Sequence, residues 1–392
     1  MFRTVFILIL CHLSVDLFTG IWPLFKKIGG IDIAVASMIG MTGGVLGNVL
    51  QLIFGQISDK GKRKQYIIMG LFLSAAASLY PYVNSYYWYF FLLSLTFIGS
   101  SAFHPAATGL TGRIAKEKKS MMIALFVAGG GIGLAFSQVA FSFVYYHFNQ
   151  QTGLLLILPF LCIILCSLFL PANLEASSNS QSTVRFIPEL KNVFFSLKNL
   201  YLLEVLNAAM TIGFVFLIPE LMEKLQLGDQ MAKGGGHLLF VMGTVLMIVV
   251  TSKLSDKFGH KKLLIGSFLV LFPLYYVFLN VPQLPIEFKI ILFFLIGGLM
   301  GICNPVGVSL GHYLMPKNAS LVSALLMGAA WAAGNLILPF VGFVTKAKDP
   351  IFALNILGSL IIVSILICFS LPSKAKVSQT YDEKTKDFDY EN

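Results

Sequence analysis

Two short stretches place titratable side chains inside long apolar runs. The first is Cys11-His12-Leu13-Ser14-Val15-Asp16, in a hydrophobic stretch that starts almost at Met1. An ionisable group in hydrocarbon costs at least about 2.5–3.5 kcal/mol, so each one needs a reason. His12 and Asp16 are four residues apart, which on a helix puts them on one face. A carboxylate beside an imidazole can gain and lose a proton near neutral pH, and that is the chemistry this spacing points to. The plainer reading is a closed His–Asp hydrogen bond that ties the helix to a neighbour. The second stretch is His104-Pro105. Pro105 has no backbone N–H and clashes with the carbonyl near Ser101, so a helix should kink there, leave a carbonyl free and turn His104 towards a cavity. The plainer reading is an imidazole satisfied by a serine or by backbone. His12, Asp16 and His104 could together hold a metal ion. The ligands are few and no water-activating Glu accompanies them, so no metal and no cofactor is expected.

Asn304-Pro305 repeats the second stretch without a titratable group, which would leave proton chemistry mainly in the first half of the chain. Asn207, Asn304, Trp331 and Gln138 are the candidate cavity residues, and Pro105 and Pro305 the candidate kinks. Glu204 is expected near the membrane interface, where a solvated charge is ordinary, and Glu220 is expected to be solvated too. His237 and His312 lie at helix ends and read as interfacial. Gly129, Gly130, Gly131 and Gly133 form no phosphate loop, because no Lys follows and the context is apolar; such residues let helices approach closely.

The elements that must position these residues are membrane helices. Hydrophobic residues make up 57% of the chain and charged ones only 12%, about half the usual share for a soluble protein. About twelve apolar runs approach the roughly 20 residues that a helix needs to cross the hydrocarbon layer. The expected helices lie near 4–25, 32–57, 65–83, 87–111, 120–147 and 152–170, then 199–221, 235–254, 261–280, 287–312, 320–344 and 350–371. The first run has no small-residue cleavage site and carries His12 and Asp16, so it reads as a membrane helix and not as a signal peptide. The five cysteines all fall in apolar runs and read as buried thiols; Cys162 and Cys166 share a helical face without another soft ligand nearby in sequence.

The net charge of +10 could suggest a nucleic-acid partner. With both termini placed inside, however, most of the 28 Lys and Arg residues fall in loops on the inner side. The charge therefore reports topology and excludes nucleic acid as the reason for it. Two of these loops match. Gly55-Gln56-Ile57-Ser58-Asp59-Lys60-Gly61-Lys62-Arg63-Lys64 and Ser252-Lys253-Leu254-Ser255-Asp256-Lys257-Phe258-Gly259-His260-Lys261-Lys262 both read Ser-Asp-Lys, then Gly, then a basic cluster. The Gly permits a tight turn between helices. Asp59, Lys60, Arg63, Asp256, Lys257 and Lys261 are the candidate gating residues.

The match extends beyond the loops. His104-Pro105 and Asn304-Pro305 lie 200 positions apart, and at the same offset Ser120 matches Ser320, Ala128-Gly129-Gly130 matches Gly328-Ala329-Ala330, and Gly133 matches Ala333. One six-helix unit is used twice. The expected fold is an all-α membrane protein with twelve transmembrane helices in two pseudo-symmetric six-helix bundles. Residues 1–171 and 199–371 form the bundles, 172–198 a cytoplasmic linker whose end is an amphipathic piece, and 372–392 a disordered cytoplasmic tail.

The paired Asp-Lys…Gly…basic turns resemble the signature loop of the major facilitator superfamily. Within it, the chain resembles the fosmidomycin-resistance protein family, through Cys11-His12-Leu13-Ser14-Val15-Asp16, Gly99-Ser100-Ser101-Ala102-Phe103-His104-Pro105, His237-Leu238-Leu239-Phe240 and Ser255-Asp256-Lys257-Phe258-Gly259. The resemblance implies proton-driven efflux of small drugs or metabolites, and functional weight for His12, Asp16 and His104. The chain also departs from the pattern. Lys60 directly precedes Gly61, Ser252 replaces the usual Gly, and Ser137-Gln138 stands where exporters often show Gly-Pro, which leaves import open. The expected protein is a monomeric transporter in the cell's inner membrane, with both termini cytoplasmic, that handles protons and a small molecule and is not an enzyme. Import or exchange of a small nutrient is the alternative, and an intramembrane metal-dependent hydrolase a remote one.

Overall fold

The computed structural model describes residues 2–59, 61–114, 119–170 and 186–373. Lys60 and the tail from 374 onwards lie outside the described residues, as do Pro171, 172–185 of the expected linker and the side chains of Asp59 and Asp256. Every regular element among the described residues is helical. In order they are α1 Phe2–Thr19, α2 Trp22–Ile28, α3 Ile33–Asp59, α4 Arg63–Ser74, α5 Tyr86–Ile114, α6 Lys119–His147, α7 Ile157–Phe169, α8 Phe186–Lys224, α9 Gly236–Phe258, α10 His260–Asn280, α11 Ile286–Gly301, α12 Cys303–Leu314, α13 Ala319–Ser323, α14 Ala330–Asn335, α15 Leu338–Ala347 and α16 Pro350–Ser370.

Eleven described segments are long and apolar enough to cross a membrane. Several combine two helices across a local break, and the breaks have causes. In Arg3–Ile28 the ladder stops at Thr19, because Pro23 has no N–H for that carbonyl. The same deficit at Pro305 falls on Gly301, where α11 gives way to α12. Its counterpart Pro105 behaves differently: α5 runs through it without interruption. α8 joins the amphipathic piece to a span through a non-helical residue, Leu197.

The expected third helix is split. α4 has 12 residues and continues as a 3₁₀ helix, Ala75–Tyr82, which contains Pro81. The Thr152 hydroxyl donates to the Ser78 carbonyl at 2.6 Å, and the Gly153 N–H donates to the Tyr82 hydroxyl at 3.1 Å. These bonds fix the tighter turn to the start of the next span.

The described chain divides into two compact units. One contains the described residues of 1–180, 215–242 and 338–350; the other contains those of 181–214, 243–337 and 351–392. The first unit therefore includes the end of α8, the start of α9 and all of α15. Its core packs Leu8, Cys11 and Val15 of α1 against Ile67, Leu71, Phe103, Phe126 and Cys166. Close approach depends on glycine at several places, two of which bear on the candidate residues. A Cβ on Gly130 of α6 would collide with His12 and Asp16. Gly234 has φ +119°, and a Cβ there would lie 2.7 Å from the Gln138 backbone. Outward faces are apolar too, with Phe72, Ile157, Leu168 and Leu366 all more than 60% exposed. Large apolar side chains on both faces suit helices solvated by lipid.

Candidate functional site

The site in the first unit is built on α1, α5 and α6. Asp16 presents both carboxylate oxygens to imidazoles: Oδ2 lies 3.2 Å from His12 Nε2, and Oδ1 lies 3.2 Å from His104 Nε2. The helical spacing of α1 supplies the first contact and α5 supplies the second. Phe126 stacks on the His12 ring at 4.2 Å between centroids, and the two imidazoles meet edge to face at 5.0 Å. Gly130 leaves the space that this packing fills.

The far side of each ring decides the chemistry. His12 Nδ1 lies 2.8 Å from the Phe126 carbonyl oxygen, and His104 Nδ1 lies 2.7 Å from the Ser100 carbonyl oxygen. A carbonyl only accepts, so both Nδ1 atoms donate and both carry a proton. Each Nε2 is left to face a carboxylate oxygen. With no further proton, two nitrogen lone pairs would oppose a carboxylate in a buried setting. One proton, or two, placed on this Nε2–carboxylate–Nε2 line removes that repulsion and makes charge-assisted hydrogen bonds. The three donor atoms also lie within 4.8 Å of one another, a separation a cation could bridge.

The other expected residues are scattered. Gln138 is fully buried in the first unit, with Nε2 on the Gly20 carbonyl at 3.2 Å. Asn207, Asn304 and Trp331 belong to the second unit: Asn207 is buried, and Asn304 and Trp331 are half-buried. Arg63 is buried and Lys257 exposed. Lys261 caps the last helix, donating to the carbonyls of Phe369 at 2.6 Å and Leu371 at 2.8 Å. In the first unit Lys64 does the same for α7, at 2.9 Å to both Ser167 and Leu170. Each basic cluster thus ties down the C-terminus of the sixth span of its own repeat, where a cation is favoured.

Charge pairs that sequence reasoning missed cluster at the end of the first unit remote from the Asp-Lys turn. Lys26, 1% exposed, pairs with Glu220 at 2.5 Å. Lys27 pairs with Glu223 at 2.7 Å and Lys346 with Asp32 at 2.6 Å. Asp32 Oδ1 also accepts from the N–H groups of Ala34 and Val35, capping α3. The Lys346 ammonium, helped by these N–H groups, holds the Asp32 carboxyl below its ordinary range. Glu220 is therefore paired and largely shielded, contrary to the expectation of a solvated charge. His237 is buried, with Nε2 3.0 Å from the Leu134 carbonyl oxygen. The three ion pairs and the His237–Leu134 contact join the two sequence repeats within one unit. The available signal was the coincidence of several charges at the same helix ends. Glu204, expected near the interface, is also fully buried.

A family model described as Major Facilitator Superfamily matches residues 4–339. The chain belongs to the major facilitator superfamily. It is a multi-pass membrane transport protein with that superfamily's all-helical fold. Among solved structures, this superfamily member is similar to a D-xylose–proton symporter, with TM-score 0.75 and 14% identity over 95% of this chain and 98% of that one. It is similar also to a nucleoside transporter, with TM-score 0.73 and 13% identity over 94% and 99%. A third is a bacterial homologue of the human lysosomal transporter Spinster in an inward-facing, unoccupied conformation, with TM-score 0.69 and 12% identity over 97% of both chains. No curated protein sequence gives a significant match.

Proposed function

We propose that this superfamily member is a proton-coupled secondary transporter that exports a small drug-like molecule or metabolite by alternating access. The observation that carries the reading is the Asp16 carboxylate held between two imidazole Nε2 atoms, with both Nδ1 protons committed elsewhere. A proton added there changes the charge of a buried contact among α1, α5 and α6. Elements whose packing depends on that charge will favour different arrangements in its two states.

The rest of the mechanism follows from this. Two six-helix bundles, residues 1–171 and 199–371, alternate between states, and Asn207, Asn304, Trp331 and Gln138 are the residues we assign to the substrate. The ion pairs Lys26–Glu220, Lys27–Glu223 and Lys346–Asp32 join the repeats at one end, which we assign to the outer side; they part when that side opens. The Asp-Lys turns then lie on the cytoplasmic side with both termini, in the inner membrane. The protein works as a monomer, without cofactor or catalytic residue. Its likeness to the fosmidomycin-resistance family supports export.

Import or exchange of a small nutrient is the second reading, favoured by Ser137-Gln138 in place of Gly-Pro and by the proton symporter among the structural neighbours. Flux into proteoliposomes, with a pH gradient imposed in either direction, separates the two. In both readings Asp16→Asn abolishes gradient-driven flux while the protein remains folded. Flux like the wild type's in this variant would discard the coupling role.

A further inference from the structure

Glu204 occupies a place in the second unit that the mechanism above does not use. Its side chain is fully buried on α8. Oε2 accepts a hydrogen bond from Asn304 Nδ2 at 3.0 Å, and the Cys303 thiol points to Oε1 at 3.8 Å. Gly307 makes room for it: a Cβ there would fall on Oε1. Two other elements bring titratable groups to this neighbourhood, the Cys303 thiol from α12 and the Cys368 thiol from α16. The Lys261 ammonium, at the end of α16 that carries Cys368, is bonded to the carbonyls of Phe369 and Leu371. Among the described residues no cation pairs with Glu204.

The setting mirrors the first site. Asn304 is the repeat counterpart of His104, 200 positions on, and each precedes a proline. Each meets a carboxyl from the first span of its own repeat, Asp16 in one case and Glu204 in the other. The partners differ in kind. Imidazoles can take up positive charge, whereas an amide and a thiol cannot. A buried carboxylate without a compensating cation is expensive, and the usual resolution is to bind a proton.

We propose that Glu204 is a second proton-binding site, which carries its proton in this conformation and releases it only when water reaches α8 and α12. The proposal rests on the proton-coupled reading, but its test needs no transport. Infrared spectra of the full chain in liposomes at neutral pH report the carbonyl stretch of a protonated carboxyl, which an ionised carboxylate lacks. The wild type should show this band, Glu204→Gln should lose it, and Asp16→Asn should keep it. Asn304→Leu removes the amide donor and should move the band to higher frequency, which keeps the proposal testable if Glu204→Gln fails to fold. No band in the wild type, its survival in Glu204→Gln, or no shift in Asn304→Leu would overturn the proposal. A missing band would leave the Asp16 reading standing, and unaltered flux in Asp16→Asn would sink that reading without touching the band.

Discussion

Asp16 and Glu204 are both shielded carboxyls on the first span of a repeat, each beside the residue that precedes a proline, yet they sit in opposite electrostatic company. Asp16 lies between two imidazoles whose outer nitrogens are pinned to carbonyls. Glu204 has an amide and a thiol. A third carboxyl, Glu220, has a true cation in Lys26. The difference teaches that the duplicated fold keeps the position of an acidic group while the partner residues decide how its charge is handled. In the first repeat the charge is shared, in the second it is cancelled by a proton, and at the helix ends it is matched by an ammonium.

The comparison is broken most severely by removing both imidazoles. His12→Phe with His104→Leu leaves Asp16 buried and unpaired, and should destabilise the protein by about 3–5 kcal/mol, as stripping a partner from a buried charge does. Adding Asp16→Asn should recover most of that loss. Glu204→Gln exchanges one neutral hydrogen-bonding group for another and should cost no more than about 1 kcal/mol. Equilibrium unfolding in detergent measures all three; equal losses at the two sites would erase the distinction.

Lys26→Met tests the third carboxyl. Glu220 keeps some water contact, at 19% side-chain exposure, so the loss should fall near the lower end, about 3 kcal/mol. Lys26→Met with Glu220→Leu should be milder than Lys26→Met alone. A double variant as unstable as the single one would mean that packing and not charge holds this end.

Gly130→Ala sharpens the geometry of the first site. A methyl group would meet His12 and Asp16, and overpacking of this kind costs about 1–3 kcal/mol. The variant should also show a changed pH dependence of gradient-driven flux, since the pair must shift to make room. An unchanged profile would show that the contact tolerates displacement.

The smallest effect belongs to Asp32. Its carboxyl is held below the ordinary range in the folded protein, so its contribution is present above the ordinary carboxylate pKa of about 4. That contribution is lost as pH falls through the depressed folded value. Thermal unfolding of the wild type and Asp32→Asn should therefore differ near neutral pH and converge in strong acid. A difference that grew on acidification would reverse the assignment.

Much of this architecture was legible beforehand, because hydropathy, loop charge and the 200-residue offset are one-dimensional signals. The His12–Asp16 contact follows from helical spacing alone. Its third member, His104, is a candidate from its place before Pro105, but nothing in the sequence places it opposite the other Asp16 oxygen. Glu204, near the start of a span, reads as interfacial in sequence, whereas its side chain is fully buried against Cys303 and Asn304 of α12. Lys26 and Glu220 are far apart in sequence, and only packing of α2 against α8 reveals them as partners. Pro105 and Pro305 look alike in sequence, yet α5 stays continuous while α11 and α12 separate.

The central claim is that His12 and His104 each keep a proton on Nδ1 while the proton that matters moves at Nε2, against Asp16. Nitrogen NMR of histidine-labelled protein, followed across pH with Asp16→Asn as reference, reads this directly. The account predicts Nδ1 protonated in both residues, with Nε2 signals that change when Asp16 is replaced. Nδ1 found bare in either residue, or Nε2 signals indifferent to Asp16, would contradict it.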